Sequence, residues 1–250
     1  MSESDMEERK ELLELISALK VHVVASEEPR GHGNVVYGTH GTQGGNEASV
    51  EAQDEGQTDA LYSKAQRLEN IRLELGDCRR CELHGTRKNL VFGEGSPEAE
   101  LVFVGEAPGE NEDIQGKPFV GRAGQLLTRI IEAMGLTRSD VYICNILKCR
   151  PPGNRNPRPE EIKICEPFLI GQLQAIRPRV ICAMGTFAAK TLLQTEMPIS
   201  RLRGRFHTYQ GIELMPTYHP AYLLRNPAGK KLVWSDMQMI MELLGKKIDH

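Results

Sequence analysis

The chain has 250 residues, 40% hydrophobic and 26% charged, with a formal net charge of −3. No run approaches the roughly 18 apolar residues of a membrane span, and acidic side chains crowd the first eight residues, where a secretory signal would carry basic ones. The composition therefore points away from membrane and secreted classes and towards a cytoplasmic protein whose thiols stay reduced.

The charge is unevenly spread. Residues 1–57 hold 12 acidic and 4 basic groups, a balance of −8, whereas the remaining 193 hold 22 acidic and 27 basic, a balance of +5. A mildly basic body suits a polyanionic partner. Residues 1–28 contain an amphipathic helix over Met6–Val24, in which Leu12, Leu13, Leu15, Ile16, Leu19 and Val23 recur at helical spacing. Glu7, Glu8, Glu11 and Glu14 make its polar face acidic, which disfavours docking on lipid or nucleic acid and leaves a protein partner or its own body as the surface it covers. Residues 29–57 are rich in Gly, Asn, Gln, Thr and Ser and read as a flexible linker, with His22, His32 and His40 around it in no fixed geometry.

From residue 58 to 250 the pattern is that of a single α/β domain. Thr58–Leu75 is helical by periodicity, and Gly76 is placed to end it. Strands are expected at Leu90–Phe92, Leu101–Val104, Val141–Cys144, Val180–Ala183 and Ile212–Met215. Helices are expected at Arg122–Met134, Pro159–Ile176, Phe187–Gln194 and Lys231–Leu244. Such alternation implies right-handed βαβ units, hence a three-layer sandwich with a central, mainly parallel four-stranded sheet flanked by helices. Neither GxGxxG after the first strand nor GxxxxGK[ST] is present, so dinucleotide and P-loop readings lack their fingerprints.

Two features stand out from this frame. In Leu101–Asp113, LVFVGEAPGENED, an apolar strand runs into a turn carrying Glu106, Glu110, Glu112 and Asp113, and the carboxyl ends of parallel strands are where α/β proteins bind ligands. Four cysteines form the second: Cys78 and Cys81 make a CxxC, with 67 residues between Cys81 and Cys149 and 15 between Cys149 and Cys165. Four thiolates suit zinc or an iron–sulfur cluster, and spacing alone does not separate the two. Arg79, Arg80 and the polar loop Cys149–Pro159 are poor core surroundings for these four. Cys144 and Cys182 end apolar runs and read as core residues.

Taken together, the CxxC, GEAPGENED with GKPFVGRAGQLL behind it, NILKCRPPGNRNP with Cys165 downstream, and HPAYLLR at 219–225 make residues 61–245 resemble the family 4 uracil-DNA glycosylases. The resemblance implies a DNA repair enzyme of base excision repair that flips uracil out of single- or double-stranded DNA. It would hydrolyse the N-glycosidic bond without a divalent metal, as a monomer, in a prokaryotic-type nucleoid setting. It also implies a structural 4Fe–4S cluster on Cys78, Cys81, Cys149 and Cys165. A non-catalytic or covalently trapping uracil-DNA binder of the same superfamily is the alternative, and a zinc-stabilised nucleic-acid-binding module a third. Residues 1–57 lie outside the resemblance and remain available to a protein partner.

The chemistry assigns roles to positions. Hydrolysis needs a group that guides water on the sugar side and a donor at the departing base. His219 is the expected donor, as a neutral imidazole directed at the uracil O2. Asn145 matches the N3–H and O4 of uracil, Phe119 offers a ring for stacking, and Ala107 lines the pocket floor. Glu106 ranks first and Glu112 second as the group that handles water, with Glu112 and Asn154 on adjoining loops by the resemblance. Asn154, Arg155, Arg203 and Arg225 are expected against DNA. Leu223 is either a wedge into the duplex or an inward-packing residue of a helix start.

Overall fold

The computed structural model of the chain describes residues 62–246. The expected N-terminal helix and the Gly-rich linker fall outside them. The first helix, α1 (Lys64–Leu75), starts at a capping box: Ser63 Oγ accepts the Gln66 N–H at 3.2 Å, and Gln66 Oε1 accepts the Ser63 N–H at 2.8 Å. The elements that follow are β1 (Glu94–Gly95), β2 (Leu101–Gly105), α2 (Glu110–Gln115), α3 (Arg122–Ala133), β3 (Tyr142–Asn145) and α4 (Pro159–Ile176). After them come β4 (Val180–Met184), α5 (Thr186–Leu193), α6 (Ile199–Leu202), β5 (His207–Tyr209), β6 (Ile212–Thr217), α7 (Pro220–Arg225) and α8 (Lys230–Leu243).

The strands form one mixed sheet in the order β1-β3-β2-β4-β6-β5. β3, β2, β4 and β6 pair in parallel, with Gly105 opposite Asn145, Val102 opposite Ile181 and Ile181 opposite Leu214. β1 and β5 add antiparallel edges. The sheet therefore has six strands rather than the four expected. The two extra strands are two and three residues long, too short to print an alternating pattern on the sequence. The expected strand at Leu90–Phe92 is not one. Val91 and Phe92 are 1% and 4% exposed because that loop crosses the core, held where the Val91 N–H donates to the Lys148 carbonyl at 2.8 Å.

Every residue of β2, β3 and β4 is buried, as the unbroken apolar runs of a parallel sheet covered on both faces require. The four parallel strands point the same way, so Gly105, Asn145, Met184 and Thr217 end at one edge, where the loops meet. Phe103, at the middle of β2, is fully buried between β3 and β4. Truncating it to Ala should cost about 3–5 kcal/mol in urea unfolding, against about 1 kcal/mol for Ser63→Ala at the exposed helix cap.

Candidate active site

β2 ends at Gly105, and a side chain there would collide with two others. A Cβ at Gly105 would lie 2.3 Å from Asn145 Oδ1 and 2.5 Å from Phe119 Cζ. The turn beyond does not stay irregular: α2 grows out of it, with Glu110, Glu112 and Asp113 in the first turn, where acidic groups complement the helix dipole. The acidic side chains then part company. Glu112 grips backbone, its Oε2 accepting the Gly109 N–H at 3.1 Å and its Oε1 the Val120 and Gly121 N–H groups, each at 2.8 Å. Asp113 is 1% exposed and accepts the Lys88 N–H at 2.8 Å. Glu106 is left partly buried in the pocket, and burial pushes its carboxyl up to about 7.

The pocket holds ≈ 430 Å³. Glu106, Ala107, Glu112, Phe119, Asn145, Asn154, Arg155, His219 and Arg225, all expected at the site, line it, and Tyr222 joins them. Phe119 takes a left-handed backbone conformation, φ 52°, unusual for a bulky residue. Arg138 steadies it by donating Nη2 to the Pro118 carbonyl at 2.8 Å and Nη1 to the Phe119 carbonyl at 3.2 Å. Gly124 makes room, since a Cβ there would sit 1.9 Å from the Phe119 oxygen. The Phe119 ring ends 5.6 Å from that of His219, inclined by 33°.

His219 caps α7: its Nδ1 accepts the Ala221 N–H at 3.1 Å. A neutral ring with Nδ1 as acceptor carries its proton on Nε2. Burial, helped by Arg225 and opposed by Glu112, pushes the imidazole down to about 4, so the ring is neutral at ordinary pH. Asn145 is 1% exposed, and its Oδ1 is buried with no hydrogen-bond partner. Buried side-chain acceptors are nearly always satisfied, so this one is set for a donor that the protein itself does not supply.

The residues expected against DNA divide. Arg225 is exposed at the pocket rim, and Asn154 lies beside it with Oδ1 accepting Arg150 Nε at 2.7 Å. Arg155 is paired to Glu161 by two N–H groups, at 2.9 and 2.5 Å. Arg203 turns inward. Its guanidinium donates Nε and Nη2 to the fully buried Asp236 at 3.0 and 2.5 Å, and Asp236 also accepts from Thr217 at 2.6 Å. Leu223 is 1% exposed, so of the two readings of that residue the structure has the inward-packing one. The outward face of α7 shows Tyr222, stacked on Tyr218 at 4.9 Å, and Arg225 three residues on. Their i, i+3 spacing marks one helix face and was the signal in the sequence that could have found Tyr222.

The four cysteines converge. Cys149 and Cys165 are 5% and 9% exposed, and Cys78 and Cys81 pack against the same core. The charge of a thiolate at Cys149 is felt by Cys165 and Cys81, and that at Cys165 by Cys81 and Cys78. Three of the sulfurs receive N–H groups: Cys78 from Arg80 Nη1 at 3.4 Å, Cys149 from Arg87 Nη1 at 3.6 Å, and Cys165 from the Lys148 backbone at 3.3 Å. Arg87, which the sequence did not single out, also donates to the Cys78 carbonyl at 2.7 Å and to Asp77 at 2.6 Å. Burial pushes the Cys149 thiol up to about 12. Among the described residues no group of three or more His, Cys, Asp or Glu side chains is set to hold a metal ion. Cys144 and Cys182 are fully buried in β3 and β4, as expected of core residues.

The sequence profile of the Uracil DNA glycosylase superfamily matches residues 92–238. A type-4 uracil-DNA glycosylase of Archaeoglobus fulgidus is 47% identical over 188 residues, covering 72% of this chain and 94% of the relative. Type-4 enzymes of Saccharolobus solfataricus and Thermotoga maritima are 46% and 41% identical, covering 72% and 75% of this chain and 88% and 100% of theirs. The chain belongs to the type-4 uracil-DNA glycosylases. The superfamily match takes in the pocket from Glu106 to His219 together with Cys149 and Cys165, whereas Cys78 and Cys81 precede it. Among the described residues no helix is long and apolar enough to cross a membrane.

The Glu106 carboxyl has a direct consequence for stability. Its folded value lies above the ordinary 4.5, so the native state holds the proton more tightly and loses stability as pH rises from about 4.5 to about 7. Glu106→Gln should therefore melt higher than the parent above pH 7 in thermal scans. The gap should shrink to a pH-independent offset below pH 4.5.

Proposed function

We propose that this glycosylase excises uracil from DNA by pairing one unsatisfied acceptor, Asn145 Oδ1, with one neutral donor, His219 Nε2–H, across the pocket. Excision of uracil in DNA repair is the activity carried by the type-4 relatives. Uracil inside a duplex is out of reach, so the nucleotide must leave the stack and enter the pocket. There the Phe119 ring offers a stacking face, and the Asn145 amide accepts from N3–H and donates to O4. Cytosine presents an acceptor at N3 and would face the buried Oδ1 with no proton between them, a penalty of the kind that makes hydrogen-bonded pockets selective.

As the N-glycosidic bond breaks, the sugar gains positive and the base negative charge. His219 stabilises the departing base through the Nε2–H without surrendering a full proton. Its low proton affinity keeps it the neutral donor, and the Ala221 N–H on Nδ1 fixes the tautomer. Glu106 guides the attacking water and faces the cationic sugar. Glu112, with both oxygens committed to three backbone N–H groups, acts instead by joining the Gly109 turn to the Phe119 loop. Arg225 and Asn154 at the rim, with Arg155 beside them, take phosphates and confer salt-dependent affinity.

The cysteines fit an iron–sulfur cluster. Four thiols share one region with N–H donors on three sulfurs, the pattern that stabilises thiolates around an iron–sulfur core. Cys78, Cys81, Cys149 and Cys165 would hold it. Bound there, the cluster supplies a cross-link between the segment after α1, the loop after β3 and α4. Purified protein should contain iron and acid-labile sulfide in equal amounts; colourless, zinc-loaded protein would overturn this assignment.

Release of labelled uracil from single- and double-stranded oligonucleotides, without added divalent metal, tests the reaction. His219→Ala and Asn145→Ala should each lower the single-turnover rate by about 10²–10³, the usual loss of one oxyanion-type contact. The pH profile separates the two titrating groups: kcat/KM should fall on acidification through about pH 7, and Glu106→Gln should lose that limb. A single acid limb near pH 4, shared by both proteins, would assign it to His219 and take Glu106 out of the water's path.

A further inference from the structure

Behind the pocket wall lies a chain of buried polar groups to which excision, as derived above, gives no part. Lys148 is fully buried, a rare state for a lysine. Its Nζ donates to the backbone carbonyl of Asn145 at 2.8 Å and to Gln172 Oε1 at 2.6 Å. Gln172, itself fully buried, donates its Nε2 to the Phe92 carbonyl at 2.9 Å and to Tyr142 Oη at 3.2 Å. The acceptors of Nζ are a carbonyl and an amide; burial disfavours the charge on Lys148, and the nearby Cys144 and Cys165 favour it. Burying an ammonium costs several kcal/mol, and a methionine would fill the same space without that cost. The group must therefore serve something other than packing.

What it touches indicates what that is. Asn145 is the last residue of β3, and just beyond it the Ile146 and Leu147 N–H groups still donate to the Gly105 and Glu106 carbonyls, each at 3.0 Å. The Asn145 side chain must present Oδ1 to the base, yet Oδ1 has no protein partner to hold it there. The orientation of the amide then rests on its backbone and on close packing against Gly105. Lys148 grips that backbone from behind. It is anchored in turn by Gln172 in α4, by the Val91 N–H on its own carbonyl at 2.8 Å, and by its own N–H on Cys165.

We propose that Lys148 is a positioning residue for base recognition, bracing Asn145 from Gln172 so that its amide meets the flipped uracil. The inference rests on the uracil-excision reading and deepens it. A misplacement of about 1 Å in such a contact lowers rate or affinity strongly, so the brace acts on recognition more than on global stability.

The test uses the full-length protein with its cluster. Lys148→Met should weaken inhibition by free uracil about tenfold, as loss of one hydrogen bond to a charged group would, and raise KM more than it lowers kcat. The visible absorbance should be unchanged. Gln172→Leu, which leaves the ammonium in place but removes its anchor, should shift uracil inhibition in the same direction by a smaller factor. In an Asn145→Ala background Lys148→Met should cause no further loss of uracil inhibition, because the residue it positions is gone. A folded Lys148→Met protein inhibited by uracil as the parent is would overturn the proposal. If Lys148→Met does not fold, the same result in Gln172→Leu would overturn it, as would full additivity in the cycle. A parent protein that neither releases uracil nor is inhibited by it would instead defeat the excision reading, and this inference with it.

Discussion

The close approach of three segments at the end of β2 governs the rest of the site. Gly105 is the point where the Asn145 amide and the Phe119 ring both come within 2.5 Å of where a Cβ would stand, far inside van der Waals contact. Because no Cβ is there, β2 and β3 stay in register to their last residues, and the stacking ring lies over the same spot as the base-reading amide. A second omission completes the arrangement: Gly124 lets the Phe119 carbonyl press against α3, so the ring can hold its left-handed backbone with Arg138 across the two carbonyls. Two missing methyl groups thus let the Asn145 amide and the Phe119 ring meet in one wall of the pocket.

Burial sets the electrostatics. The same burial that raises the Glu106 carboxyl lowers the His219 imidazole, so two groups that would be oppositely charged near neutrality in water are both driven towards their neutral forms. Environments that push two titratable groups in this way assign their roles, one towards accepting a proton and the other towards donating a hydrogen bond without ionising. Neither effect needs a neighbouring charge as its main cause. Both follow from the packing of Phe119 and the strand ends.

The polar groups around the pocket work mostly as fasteners. Glu112 joins two loops through three backbone N–H groups, Asp113 secures residues 88–89, Asp236 holds Arg203 and Thr217 beneath the His219 turn, and Arg87 ties the cysteine region to Asp77. A charged side chain in a loop can face solvent, substrate or the backbone of another loop, and its identity does not reveal which. For this reason Arg203 and Leu223, placed against DNA on sequence grounds, face inward in the fold. The roles of Arg138 and Arg87 are hidden in the sequence for the same reason, since each acts through a contact 20 or 62 residues away.

The sequence by itself determined the strand–helix order, because continuous apolar runs and helical periodicity are local signals. The Pro159–Ile176 helix and the four parallel strands are where those signals put them, and the four motifs carried the family. The sequence also determined which residue types meet at the pocket: Glu106, Phe119, Asn145 and His219 lie on segments whose ends a parallel sheet must bring to one edge. Only the tertiary structure decided how those residues are used. The two short edge strands, the helix within GENED, the commitment of Glu112 to backbone and the unsatisfied oxygen of Asn145 all depend on partners distant along the chain. Hydrogen bonding and desolvation arise from what surrounds a group in space, and a one-dimensional pattern records the group but not its surroundings.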